Sequence, residues 1–192
     1  NNVWVRNLHM LLEPVTYIYL PQIILHHNIN PETNTRRIKP DSEDKTQTYE
    51  SNISGMARTT CLNTGVAGTD AIAVNYKMRF KADMDMEGEK VDIVGGRLMT
   101  FGICGQNANR VSRAEESNDA ERHYIDVTMQ FYNGMDSTFV FDVTEQVRRR
   151  YKGGVLTIEL DMDTVPVPHR RGGSGFDAVV KDFDEETHEI EL

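Results

Sequence analysis

From Ala71 to Lys81 large apolar residues recur at every second position: Ile72, Val74, Tyr76, Met78 and Phe80. Successive side chains of a strand point to opposite faces, so these five share one face while Asn75, Lys77, Arg79 and Lys81 share the other. A helix, with a period of 3.6, would scatter them around its circumference. This stretch commits the chain to a sheet with one face turned inward.

The same reading predicts a strand from His123 to Tyr132, with Ile125, Val127, Met129 and Phe131 inward and Asp126, Thr128 and Gln130 outward. Asn133-Gly134 follows, a dipeptide suited to a two-residue type I′ turn because both central residues need positive φ. Met135 to Val143 then returns with Phe139, Phe141 and Val143 on one face. Further strands are predicted at Val91–Val94, Arg97–Cys104, Val155–Met162 and, at the end, Thr187–Leu192. Val15 to His26 reads as a strand pair or one long bent strand, with Pro21 marking an edge or a bulge because it has no N–H to donate.

Helix is scarce. The best candidate is Thr144–Tyr151, where Asp142 and Glu145 have capping-box spacing and Gly153-Gly154 supplies a stop. Residues 28–52 and 105–122 have the composition of mobile loops, and His169 to Gly175 that of a flexible connector. With 192 residues the chain is long enough to bury a core as one domain, 1–192. Seven or eight short strands separated by turn signals make that domain an all-β, antiparallel β-sandwich with one short helical turn.

Charge narrows the partners. Thirty acidic residues against 21 basic ones give a formal net charge of −9, which repels polyanions and argues against nucleic acid. The most apolar run, Val15 to Leu25, is interrupted by Tyr17, Tyr19, Pro21 and Gln22 and is far short of a membrane span. No initiator Met and no basic-then-apolar leader is present, so Asn1 reads as the start of a processed or truncated chain. Cys61 and Cys104 pair only if their strands face each other, and alternation does not decide that; free thiols are the preferred reading.

Reactive constellations are hard to find. Asp83-Met-Asp85-Met-Glu87-Gly88 matches positions 1, 3, 5 and 6 of a calcium loop, but position 12 is Val94 instead of the bidentate Glu. A solvated hairpin turn is the preferred reading. His26 and His27 are adjacent, so in a strand they face opposite ways and cannot share a metal; His9, His123, His169 and His188 show no zinc-like spacing. Ser54-Gly55 and Ser174-Gly175 lack a nucleophile elbow, and Gly65-Val-Ala-Gly68 lacks the Gly-Lys-Ser/Thr of a phosphate loop. Asp161 and Asp163 read as the wet face of a strand, and Arg148-Arg149-Arg150 as cations complementing a helix C-terminus. No catalytic, cofactor or metal residue is assigned, and the chain is expected not to be an enzyme.

Four segments taken together carry a family resemblance: Ser54-Gly-Met-Ala57, Leu98-Met-Thr-Phe-Gly102, Phe141-Asp-Val-Thr-Glu-Gln-Val147, and Gly172-Gly-Ser-Gly-Phe-Asp177 ahead of an acidic end. From about Val15 to Leu192 the chain resembles lipoproteins of Bacteroides and Prevotella relatives that carry a domain of unknown function. These are grouped with fimbrillin-like proteins and minor-fimbria anchor subunits. The resemblance implies an exported, lipid-anchored cell-surface protein of the outer membrane, built from two transthyretin-like or immunoglobulin-like sandwiches. This chain is similar to the second of them; the first, with its lipoprotein signal and anchoring Cys, is missing from these residues.

The expectation is therefore a non-enzymatic structural or adhesion module of a fimbrium-type surface protein, acting through strand edges and loops. Its partners would be other surface subunits, joined by β-strand addition in which Thr187–Leu192 closes the sheet or is donated. The alternative is a module binding host or dietary glycans, with Tyr17, Tyr19, Tyr132 and Tyr151 stacking on sugars if they share an exposed face. A third reading, a hydrolase with dispersed carboxylates, requires an acidic cleft. Neither nucleic acid nor a cofactor is expected, and the membrane only through a lipid anchor outside this chain.

Overall fold

The alternating stretch at Ala71 extends further than its pattern does, forming one strand of 16 residues, Ala71–Met86. The computed structural model describes residues 14–38, 48–86, 88–104, 122–169 and 179–180. In chain order the strands are β1 (Tyr17–His26), β2 (Ile29–Asn30), β3 (Thr35–Arg36), β4 (Thr48–Ala57), β5 (Ala71–Met86), β6 (Glu89–Gly96), β7 (Leu98–Thr100), β8 (Tyr124–Gln130) and β9 (Asp136–Asp142). After β9 come helix α1 (Thr144–Arg149), β10 (Gly154–Asp161), a 3-10 turn (Met162–Thr164) and β11 (Val179–Val180).

β5 is long enough to serve both layers. Its first half pairs with β4, from Ala57↔Ala71 to Thr48↔Arg79, and its second half with β6, from Met78↔Gly96 to Met86↔Glu89. The main order is β10-β1-β6-β5-β4-β8-β9-β11, with β7 also on β1, and the sheet folds over through β5. Tyr19, Ile23, Leu25, Val94, Leu156 and Leu160 from one half then meet Ile53, Ile125, Val127, Met129, Phe139 and Phe141 from the other in a single core. The result is the expected β-sandwich, antiparallel except for the β1–β10 and β9–β11 pairs. Each large side chain so buried contributes about 1.5–3 kcal/mol relative to exposure, and the alternation read in the sequence is what places them there.

Pro21 sits neither at an edge nor in a bulge. β1 runs unbroken, and its neighbour on one side changes from β7, ending at Tyr19↔Leu98, to β6, starting at Gln22↔Gly95. The residue that cannot donate lies in the gap between them.

The turn after β8 is also not the predicted type I′. Phe131 N–H donates to Met135 O, Gly134 N–H donates to Phe131 O, and of the loop residues only Gly134 has positive φ (78°). This is a three-residue loop closed by a left-handed glycine, and Asn133 spends its amide on Met135 N–H and Pro168 O instead. At α1 the capping box is absent: Val143 is the N-cap, Asp142 accepts from Thr144 N–H, and Glu145 pairs with Arg148.

The span 28–52, expected as a loop, contains the β2–β3 hairpin and the start of β4. The hairpin is fastened through Asp92, whose carboxylate is 4% exposed and accepts from Asn28 Nδ2 (2.8 Å), Arg36 Nε (2.9 Å) and Asp83 N–H (2.9 Å). Asp83 has φ 53° in the β5 irregularity between Lys81 and Met84, and its own carboxylate holds Arg36 at 2.7 Å. Residues 105–121, the connector from Arg170 to Gly175 and the predicted strand Thr187–Leu192 lie outside the described residues.

Candidate functional site

Of the strand edges, that of β10 is best defined. β10 ends the sheet order, so one of its sides pairs with β1 and, among the described residues, the other pairs with no strand. On that free side Thr157 N–H donates to Gln146 Oε1 (2.9 Å), while Gln146 Nε2 donates to Thr157 O (2.7 Å). The side chain of Gln146, on α1, thus stands in for one residue of a neighbouring strand. Because strand geometry repeats every two residues, Val155 and Glu159 direct their main-chain groups to the same free side. Local sequence builds this arrangement: α1 is short, and Gly153 (φ 91°) and Gly154 (φ 145°) turn the chain straight into β10.

The outer face beside this edge is apolar. Ile18 lies opposite Met99 and Leu20 opposite Val155, so the four share one face of β1, β7 and β10. They are 39–57% exposed, a contiguous run of large apolar side chains that no described element covers. At the other end of the order, β9 accepts β11 in parallel through Phe139 and Val140.

The residues singled out in the sequence are dispersed. Tyr19 is fully buried and donates to Tyr151 O at 3.2 Å, burial pushing its hydroxyl pKa up to about 12; Tyr17 and Tyr151 pack against the core. Only Tyr132 of the four is exposed, so they form no common stacking face. Asp83 is tied to Arg36, Asp85 accepts from Gly88 N–H in the β5–β6 turn, and Glu87 lies outside the described residues. No disulfide joins Cys61 and Cys104, and the Cys104 thiol donates to Thr69 O. Within the Ser54–Ala57 segment, at Gly55 (φ 76°), the ring of buried His123 occupies the place of a Cβ and bonds Ser54 O at 3.1 Å.

Two open depressions accompany these surfaces. One of about 620 Å³ is bordered by Met99 and by the cationic Lys77, Arg79 and Arg97. The other, about 270 Å³, lies over Asn52, Asn75, Thr128 and Thr138 and carries two carboxylates, Asp126 and Glu50, the latter paired with Lys77. Among the described residues no helix is long and apolar enough to cross a membrane.

No family model matches the chain, and no curated protein does. A solved structure from Bacteroides ovatus ATCC 8483, described as "a putative adhesin", is similar at 12% identity and a TM-score of 0.41. The likeness covers 79% of this chain and 50% of that one, so the chain spans about half the length of its structural neighbour.

Proposed function

We propose that the chain is a non-enzymatic structural or adhesion module of a fimbrillin-like cell-surface protein, exported and lipid-anchored through a longer parent, and that it works through a strand edge. The observation that supports this reading is the side of β10 that no described strand pairs, beside the exposed apolar side chains of Leu20 and Val155. An added strand needs main-chain partners for affinity and flanking apolar side chains for selectivity, and this edge offers both. Gln146 covers one residue of it and is displaceable, since the amide bonds it makes are of the kind an incoming backbone supplies.

The test uses the folded chain immobilised and exposed to sheared surface-fibre preparations, beside its Glu159→Pro variant. Proline there removes an N–H that faces the free side and leaves the pairing with β1 intact. Binding by the parent, lost in the variant at an unchanged melting temperature, supports the edge; equal binding by both removes it. A glycan array run in parallel tests the second reading, which the polar depression over Asn52, Asn75 and Asp126 favours. Cleavage of any arrayed glycan would overturn the non-enzymatic part of the proposal.

A further inference from the structure

At the far end of the β1–β10 pair the parallel register sets His26 opposite Asp161, and the chain turns at His27 with φ 51°. That turn brings His27 Nδ1 to 3.0 Å from Asp161 Oδ1 and 3.8 Å from Asp163 Oδ2. One donor atom from each of the three residues lies within 4.8 Å of the other two.

These separations are those of ligands around a small cation. Bonds of about 2.1 Å to nitrogen and oxygen place neighbouring donors about 3.0 Å apart in an octahedron and about 3.4 Å apart in a tetrahedron. The His27–Asp161 distance already fits, the His27–Asp163 distance exceeds the tetrahedral value by a few tenths of an ångström, and all three donors stay within 4.8 Å of one another. Its other oxygen, Oδ1, is held by Arg37, the kind of outer support that orients a ligating carboxylate. With a neutral imidazole, the two carboxylates and Arg37 leave one negative charge to attract a dication. The three side chains are 45–57% exposed, so water completes the coordination.

We propose that His27, Asp161 and Asp163 bind one divalent transition-metal ion of the zinc or manganese class, joining the exit of β1 to the end of β10. One imidazole nitrogen among few oxygens suits such ions, whereas calcium takes six to eight oxygen ligands. The site is independent of the β10 edge and does not rest on the function proposed above.

The experiment is a calorimetric titration of the full, chelator-stripped chain with ZnCl2 and separately MnCl2. A Cys61→Ser background keeps the exposed thiol from supplying a ligand. One ion per chain is expected, with affinity lowered at least about 10-fold in His27→Asn and in Asp163→Asn. Asparagine tolerates the positive φ of residue 27, and Asp163→Asn keeps its shape beside Arg37, so either variant reads binding apart from folding. Manganese is also expected to broaden the amide resonances of residues 27 and 161–163 first. Absence of binding at about millimolar zinc, unchanged affinity in both variants, or broadening centred elsewhere overturns the site.

Discussion

The buried carboxylate of Asp92 and the side-chain amide of Asn28 are joined by a 2.8 Å hydrogen bond, although 64 residues separate them. Asn28 in turn accepts from Ile38 N–H at 2.9 Å through its Oδ1, so one pair fastens both ends of the β2–β3 hairpin to β6. Removing the carboxylate leaves Asn28 Nδ2, Arg36 and Asp83 N–H with unmet bonds. Asp92→Ala is expected to cost about 3 kcal/mol, with Asp92→Asn milder because it keeps an acceptor. Urea denaturation measures this; an Asp92→Ala midpoint equal to the parent's would show that the knot contributes nothing.

Gln146 shields the middle of the β10 edge, and its loss should expose rather than unfold. Gln146→Ala removes two partly exposed hydrogen bonds, a cost of about 1–2 kcal/mol. The more specific consequence is local: hydrogen exchange at the Thr157 amide should accelerate while that of Ile158, which faces β1, stays slow. Equal acceleration across β10 would mean that Gln146 supports the whole strand instead of guarding its edge.

What was legible in the sequence is what local sterics dictate. Period-two alternation located β5, β8, β9 and β10 because a strand's two faces are fixed residue by residue. What pairs with what was not legible. β5 changes partners at Met78–Arg79, and the left-handed Asp83 beyond that point reads as nothing more than a charged turn. Asp92 lies inside the apolar run Val91–Val94, where only the distant Asn28 and Arg36 explain a buried carboxylate. His27 and Asp161 are 134 residues apart, and only the parallel crossover from β1 to β10 brings them together.

Gly153 and Gly134 both have positive φ, yet they should respond very differently to a methyl group. At Gly153 an added Cβ would collide with the main chain of Ile18, and backbone cannot swing aside; at Gly134 no atom lies within 4 Å. Gly153→Ala is expected to cost about 3 kcal/mol, or roughly 6–12 °C in melting temperature for a chain of this size. Gly134→Ala should cost about 1 kcal/mol, the conformational strain alone. Similar losses at the two sites would contradict the close packing of β10 on β1.

The His27–Asp161 pair gives the chain a stability term confined to mildly acidic pH. The hydrogen bond that His27 Nδ1–H donates to Asp161 raises the His27 pKa above its usual 6.5, and the same bond lowers that of Asp161 below its usual 3.8. A raised histidine pKa stabilises fully below 6.5 and ceases to as pH climbs through the folded value; a lowered aspartate pKa stabilises above 3.8 and ceases to as pH falls through its own. Both conditions hold only between those limits. In chelator, the parent should therefore exceed His27→Asn in urea midpoint most clearly near about pH 5, and the two curves should converge by about pH 9. Both side chains are about half exposed, so added salt should shrink the gap. A gap that persisted unchanged at alkaline pH would assign the loss in His27→Asn to lost imidazole contacts rather than to the ion pair, since asparagine tolerates the φ of 51°.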